Sequence, residues 1–101
     1  MDMSGLARQA QQMQKKMEKI EADLKERVVE GTAGGGVSVK CTGGQEIVDV
    51  KIDPKVINPD DKALLEDMII AAVNEALRKA KKLRESEMAK VMGGMSLPGM
   101  I

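Results

Sequence analysis

The spacing of apolar residues changes along the chain, and this change constrains the fold more than any other feature. Between Met3 and Leu24 the apolar side chains recur at alternating intervals of three and four residues. That is the heptad period of a helix with one narrow apolar seam. We therefore predict a helix over about residues 4–27, about 35 Å long at 1.5 Å per residue. The seam consists of Met3, Leu6, Ala10, Met13, Met17, Ile20 and Leu24.

The middle of the chain follows a period of two. Apolar and polar residues alternate from Val37 to Thr42 and again from Val48 to Ile52, as in half-buried strands. Val28 and Val29 begin an earlier strand, and the glycine-rich residues 31–36 connect it to the next. We predict a three-stranded antiparallel meander with one apolar face and one wet face. Gly43 and Gly44 are predicted to form a primed hairpin turn.

The last helix follows two proline-containing helix starts. Asp53-Pro54 is predicted to open only a short turn, because Asn58-Pro59 interrupts it. From Pro59 a helical pattern runs to about Met92, a length of about 45–50 Å. Its predicted apolar stripe consists of Leu65, Ile69, Ala72, Ala76, Ala80 and Leu83, with Val73 and Leu77 beside it. A helix longer than a chain of this size is wide must project from the body.

The available apolar side chains predict a small core. The chain has no Phe, Trp or Tyr and nine Met residues, so Met, Leu, Ile and Val must fill the interior. A monomer with such a core is marginally stable, and burial against a second copy is the remedy. We expect a homodimer with an α+β subunit in the order α-β-β-β-α. Residues 1–92 form its single domain, and residues 93–101 form a flexible Gly/Pro/Met tail.

The inventory of reactive side chains argues against an enzyme. Without His and with one Cys, the chain has no Ser-His or Cys-His pair, no His-ligated metal and no Cys cluster. We expect no enzymatic activity, no cofactor and no metal. Cys41 alternates with valines and is interpreted as a small core residue rather than a nucleophile. The polar start of the chain and the missing apolar run predict a cytoplasmic protein.

Two further motifs have structural explanations. The glycines at 34–36 precede a strand and lack the Lys-Ser or Lys-Thr of a phosphate-binding loop, so we interpret them as a hairpin connection. The carboxylates at 60, 61, 66 and 67 suggest a cation site at first sight. Asp60 and Asp61 are explained by the positive end of the helix that follows, so no metal is needed.

The net charge of zero hides a partition of charge. Residues 4–27 carry a net +2 and residues 73–92 a net +3, whereas residues 28–72 carry a net −4. At 100° per residue, the first helix presents a cationic row opposite its seam, made of Arg8, Lys15 and Lys19. Arg78 and Lys82 likewise point away from the stripe of the last helix. These cations either meet a polyanion or keep the outer helix faces soluble, and the pattern leaves both interpretations open.

The order of these features resembles one known family. A first helix with LARQAQQMQKKMEKIEADL, then VEGTAGGGVSVKCTGG, EIVDVKIDP and a late helix with LLEDMIIAAVNEALRKAKK resemble the YbaB/EbfC family of bacterial nucleoid-associated proteins. The similarity covers about residues 5–83. It implies a tweezer-like homodimer whose paired helices extend from a central sheet and bind double-stranded DNA with little sequence preference. It also implies a role in the nucleoid.

The resemblance also nominates the residues that bind DNA. The charged helix positions of the family correspond here to Arg8, Lys15, Lys16, Lys19, Arg78, Lys79, Lys81 and Lys82. We add Arg84 from the charge run alone. The sequence also leaves a second function open. The methionine seam, which is otherwise core or dimer interface, resembles a pliable groove for partner helices. On this second interpretation the chain is an interaction adaptor at replication or recombination machinery, with little direct DNA binding.

Overall fold

The computed structural model describes residues 3–93. It contains two helices, three strands and two short 3-10 turns: α1 (Met3–Glu26), β1 (Val28–Ala33), β2 (Val37–Thr42), β3 (Ile47–Ile52), the turns Pro54–Val56 and Pro59–Asp61, and α2 (Lys62–Gly93). This order confirms the predicted α-β-β-β-α subunit. The predicted tail lies outside the described residues except for Gly93, which ends α2.

The three strands form an antiparallel sheet in the order β1-β2-β3, which confirms the predicted meander. One face of the sheet is apolar, because Val37, Val39 and Cys41 of β2 are buried. The other face is polar, and there Ser38 Oγ donates a hydrogen bond to Glu30 Oε1 across the β1–β2 pair. The sheet is therefore half-buried, as its alternating sequence predicts.

Helix α2 covers the apolar face over β1 and β2. Ala72, Ala76 and Ala80 are fully buried in this contact. The helix backbone comes so close to β1 that a Cβ atom at Gly31 would lie 2.3 Å from the carbonyl oxygen of Ala72 and 2.4 Å from the nitrogen of Ala76. Small residues on both sides therefore set the distance between helix and sheet. Leu65 and Ile69 of the predicted stripe, and Val73 and Leu77 beside it, pack against this core.

The glycines with positive φ lie in the β1–β2 turn and not in the turn between β2 and β3 for which they were predicted. Gly34 and Gly35 have φ values of +57° and +70°, and Gly36 N donates to Ala33 O at 3.1 Å. The prediction of a primed turn at Gly43 and Gly44 was wrong, because the positive φ in that turn belongs to Gln45. Gly43 has another role. A Cβ there would lie 2.8 Å from the carbonyl oxygen of Leu24, so glycine admits the end of α1.

Strand β3 departs from simple alternation through a β-bulge. The pairing shifts between Lys40 and Cys41, so that Ile47 rather than Val48 lies opposite Cys41. Val48 is the extra residue at this bulge, and its side chain is 51% exposed. The extra residue of a bulge is left out of the regular pairing, which explains its position.

The helices begin and end close to the predicted positions. Asp53 and Asn58 each accept a backbone N–H bond at 3.0 Å, from Lys55 and Asp60 respectively. The second of these capped turns is a 3-10 turn that runs into α2, so the α-helix begins at Lys62 rather than at Pro59. Among the described residues, no helix has the length and apolar character needed to span a membrane.

The two helices pack against each other within one subunit and extend beyond the sheet. Glu21 of α1 pairs with Arg84 of α2, whereas Met13 and Met17 lie near Met88 and Met92. Residues nearer the start of α1 thus meet residues nearer the end of α2, so the helices run antiparallel. Met13 and Met17 of the seam therefore lie against the last helix of their own chain. The described part measures 71 × 27 × 16 Å.

The close contact at Gly31 leads to a stability prediction. Gly31→Ala places a Cβ against the α2 backbone, which cannot rotate away as a side chain would. We expect the free energy of unfolding to fall by about 1–3 kcal/mol in chemical denaturation at fixed protein concentration. Gly5→Ala is the matched control, because nothing lies within 4 Å of its added Cβ. It should stabilise helix α1 by about 0.5–1 kcal/mol. Equal stability of the two variants would contradict the packing role of Gly31.

Candidate nucleic-acid interface

The outer surface under consideration belongs to the helix hairpin, defined as α1 together with residues 78–93 of α2. The two helices meet along the predicted seam of α1. Leu24 is fully buried at the base of the hairpin. Further out the contact is a groove of about 170 Å³ lined by Met13, Met17, Arg84, Met88, Val91 and Met92. From Met13 to Leu24 the seam therefore faces inward and leaves the opposite side of α1 to solvent, whereas Met3, Leu6 and Ala10 at its start are exposed.

Two ion pairs between the helices fix their relative position. Arg84 Nη2 donates to Glu21 Oε1, and Arg27 Nη1 donates to Glu87 Oε1 at 3.0 Å. Lys90 Nζ donates to the same Glu87 oxygen at 3.0 Å. The hydrogen bonds from Lys90 and from Arg27 hold the pKa of the Glu87 carboxyl below its ordinary value. Glu87 therefore stays ionised at neutral pH and joins the end of α1 to α2.

Two of the nine predicted DNA-binding residues take part in internal contacts. The Lys79 ammonium donates to the carbonyl oxygen of Glu30 on β1 at 2.8 Å and pairs with Glu75 at 3.1 Å. The guanidinium of Arg84 pairs with Glu21 and lines the methionine groove. Lys79 thus ties α2 to the sheet, and Arg84 ties α2 to α1.

The other seven predicted residues share a different environment. Each is exposed, and within residues 3–93 none of them has a side-chain hydrogen bond or an ion pair. We call this set the outer cations: Arg8, Lys15, Lys16, Lys19, Arg78, Lys81 and Lys82. Three of them lie on α2 and four on α1, so the structure brings two separate segments of sequence onto one projecting unit.

Helix phase explains why the outer cations face solvent. Arg8, Lys15 and Lys19 lie within about 40° of the direction opposite to the buried Leu24. On α2, Ala76 and Ala80 face the sheet, so the residues between them, such as Arg78, turn away from it. The packing that buries Leu24, Ala76 and Ala80 therefore presents the cations on the opposite sides of the two helices.

The acidic residues lie at the other end of α2. Asp60 and Asp61 precede the helix, and Glu66 and Asp67 lie in its first two turns, all of them exposed. Within the described part of the chain, no group of His, Cys, Asp or Glu side chains is arranged to hold a metal ion. The charge partition along the sequence is therefore also a partition in space.

Cys41 has no place in this surface. Its side chain is fully buried in the core, as its alternation with valines predicts. Burial raises the pKa of the Cys41 thiol above its ordinary value. The thiol is thus protonated and shielded, which fits a packing residue and not a nucleophile.

One surface was missed at the sequence level. Val50 of β3 lies opposite Val39 of β2, yet Val39 is fully buried and Val50 is 45% exposed. Ile47 and Val48 on the same strand are also exposed. Helix α2 covers β1 and β2 and leaves β3 open. Composition predicts that such a surface exists, but only the position of α2 shows where it lies.

The protein is of the α+β class, with a helix hairpin that projects from a small antiparallel sheet. The exposed lysine and arginine side chains of this hairpin suit a polyanion. Residues 1–95 match the model of the YbaB/EbfC DNA-binding family, and the chain belongs to this family. The resemblance noted in the sequence is thus confirmed, over more of the chain than the motifs alone cover.

Relatives and a solved structure agree with this membership. The chain is 50% identical over 101 residues to a nucleoid-associated protein of Ruminiclostridium cellulolyticum, covering 98% of this chain and 88% of the relative. It is 47% identical over 100 residues to one of Alkaliphilus metalliredigens, with the same coverage of both chains. The crystal structure of uncharacterized protein HP0035 from Helicobacter pylori matches with a TM-score of 0.82 at 26% identity, covering 92% of this chain and 99% of that one.

The lowered pKa of Glu87 predicts how the hairpin responds to acid. A carboxyl whose pKa is lowered by folding stabilises the fold above its unfolded pKa, about 4.3. That contribution is lost as the pH falls through the lowered value. Glu87→Gln should therefore be less stable than the wild type at pH 7, and the gap should close on acidification. Thermal melting between neutral and acid pH measures this gap.

Glu85→Gln is the control for the Glu87 experiment, because Glu85 is exposed and has no ion pair among the described residues. Its melting temperature should follow that of the wild type at every pH. A gap between wild type and Glu87→Gln that does not change with pH would count against the ion-pair assignment.

Proposed function

We propose that this protein binds double-stranded DNA as a homodimer, through contacts from the outer cations to backbone phosphates, and contributes to nucleoid organisation and gene expression. One observation carries the proposal. Seven lysine and arginine side chains on a projecting pair of helices are exposed and have no carboxylate partner among the described residues. Membership of a DNA-binding family and relatives named nucleoid-associated proteins support the same function.

The chemistry of the outer cations favours phosphate contacts over base readout. Lysine and arginine that neutralise phosphates release condensed counterions, so affinity depends steeply on salt and weakly on sequence. With about six phosphates contacted by a dimer, the slope of log affinity against log salt is near −5. Single-stranded DNA is a poorer ligand, because single-strand binding relies on aromatic stacking and the chain contains no aromatic residue.

The dimensions of the hairpin suit a duplex. Helix α2 has 32 residues and is therefore about 48 Å long. Only residues 78–93, about 24 Å of this length, belong to the hairpin, whereas α1 with its 24 residues is about 36 Å long. One turn of B-DNA rises about 34–36 Å, so α1 is about as long as one turn of the duplex. In a two-fold dimer, two hairpins are available to grip one duplex or to bridge two segments. Nothing in this geometry requires a particular base sequence.

The uncovered face of β3 supports the homodimer. Val48 and Val50 are each about half exposed, and β3 has a neighbouring strand on one side only among the described residues. An open strand edge beside apolar side chains is a template for pairing with another chain. A second copy that covers β3 would bury both the edge and the side chains. Ile57, Leu64 and Ile70 are further exposed apolar residues.

Lys79 and Arg84 are assigned a supporting role within this proposal. Their charges already interact with Glu75 and Glu21, so a phosphate contact by either one must first break an internal contact. We propose that they position α2 against the sheet and against α1, while the outer cations contact DNA. This divides the predicted set into seven residues that contact phosphates and two that hold the helices.

Charge reversal on α1 tests the DNA contact. Lys15→Glu/Lys19→Glu changes two residues that are exposed, lie on the outer side of α1 and touch no carboxylate. We expect duplex affinity to fall by about tenfold or more at low salt, with a shallower salt dependence, because phosphate contacts are lost. Gel retardation of two unrelated duplexes at two salt concentrations measures both effects.

The matched control for charge reversal is Lys55→Glu/Lys62→Glu, which makes the same change in net charge at exposed positions outside the hairpin and outside β3. It should change duplex affinity far less than the α1 variant. Equal losses in both variants would show that only total charge matters. If neither variant changes the complexes formed by the protein, DNA contact by the hairpin is refuted and the adaptor function becomes the better explanation.

Substitution on β3 tests the dimer separately. Val50→Asp places a carboxylate on the uncovered apolar face and should convert the dimer to a monomer in sedimentation equilibrium. The helical circular dichroism should be retained, because Val50 is half exposed in the subunit. Met3→Asp is the control, since Met3 is an exposed apolar residue far from β3. A Val50→Asp protein that remains dimeric would place the interface elsewhere.

A further inference from the structure

The outer part of the helix hairpin is held together by thioethers. Four of the six residues that line its groove are methionines, namely Met13 and Met17 of α1 and Met88 and Met92 of α2. Met17 is 42% exposed and Met92 is 62% exposed, so solvent and small solutes reach the groove. The two interhelical ion pairs, at Glu21 and Arg27, both lie on the sheet side of these methionines.

We propose that this methionine groove is a modification site, at which peroxide oxidation loosens the helix hairpin. In the reaction the thioether sulfur attacks one oxygen of hydrogen peroxide and the O–O bond breaks. The sulfur is oxidised by two electrons to the sulfoxide, and the other oxygen leaves as water. The oxidant is a peroxide, and no metal or cofactor takes part.

The sulfoxide is incompatible with the groove as it stands. Oxidation converts a flexible apolar side chain into a polar one with a strong hydrogen-bond acceptor. Among the lining residues only Arg84 can donate to that acceptor from its side chain, and its guanidinium already pairs with Glu21. The new oxygen therefore either competes with Glu21 for Arg84 or turns its side chain out of the groove toward water, which already reaches Met17 and Met92. Both outcomes weaken the contact between α1 and α2.

The position of the groove distinguishes it from the other described methionines. Met68 packs against the core beneath the sheet, close to Gly34, and its side chain is half-buried there. Met3 is 73% exposed at the start of α1 and is not part of the groove. Oxidation of Met3 therefore changes no contact between the helices. Among the described methionines, only the four in the groove lie between the two helices and also line a surface that solvent can reach.

The consequence for DNA rests on the proposed function. The outer cations lie on both helices, so separation of α1 from α2 changes the spacing between Arg8, Lys15 and Lys19 on one side and Arg78 and Lys82 on the other. Phosphates on a duplex have fixed spacing, so an opened hairpin matches them less well. Methionine sulfoxide reductases restore the thioether, which makes the change reversible.

The test uses the full chain treated with hydrogen peroxide, and its first measurement does not involve DNA. Mass spectrometry should find one added oxygen on each of the groove methionines. Amide hydrogen exchange in the outer half of α1 should then accelerate by about tenfold, because exchange reports local opening. A control treated with peroxide and then with the reductases should return to the original exchange rates.

A variant that cannot be oxidised in the groove completes the test. Met13→Leu/Met17→Leu/Met88→Leu/Met92→Leu keeps apolar side chains of similar volume, so the hairpin should form and peroxide should leave its exchange unchanged. Met17→Leu/Met92→Leu, which changes only the two most exposed groove methionines, serves if the fourfold variant does not fold. Met3→Leu is the matched control and should respond to peroxide as the wild type does.

The outcomes separate this inference from the proposed function. Equal exchange rates in α1 before and after complete oxidation of the groove would overturn the inference. Faster exchange together with weaker duplex retention supports both. Faster exchange in a protein that never retains duplex DNA, even when reduced and at low salt, supports the oxidation site and refutes the DNA function.

Discussion

The contact between the alanines of α2 and the glycine of β1 determines the rest of the molecule. Because Gly31 has no side chain, the backbone of α2 can lie directly on β1, and Ala72, Ala76 and Ala80 keep it there. A helix placed over β1 and β2 is too narrow to cover a third strand, so the apolar side of β3 remains open. The same placement aligns α2 with the sheet only over its first half, and its second half extends to meet α1.

The chain therefore has two unfinished surfaces with opposite chemistry. The face of β3 is apolar and lies beside an open strand edge, which suits a second copy of the chain. The outer side of the hairpin is cationic and without carboxylate partners in the described part of the chain, which suits a polyanion. A single small core without any aromatic residue leaves the apolar face of β3 uncovered, so the proposed dimer follows from a shortage of apolar cover within one subunit.

Much of this could be predicted from periodicity, but not all of it. The heptad seam of α1, the alternation in β2 and the alanine stripe of α2 each encode a local choice between helix and strand, and each was confirmed. The glycines were harder, because close approach and positive φ both select glycine. Gly34 and Gly35 have positive φ, whereas Gly31 and Gly43 are needed for a close approach of helix backbone. The bulge at Cys41 depends on tertiary contacts that no local pattern contains. The same is true of the contact between Lys79 and the Glu30 carbonyl and of the ion pair between Arg84 and Glu21.

A chain of zero net charge can still attract DNA, because the acidic start of α2 lies farther from the outer cations than the screening distance. Asp67 and Arg78 are eleven positions apart on α2, which at 1.5 Å per residue is about 16 Å. The Debye length at physiological salt is about 8 Å, so the acidic start of α2 weakens the field at the hairpin only slightly. The carboxylates inside the hairpin do not cancel the field either. Glu21, Asp23 and Glu87 pair with Arg84, Arg27 and Lys90, and among the described residues no carboxylate forms an ion pair with the outer cations.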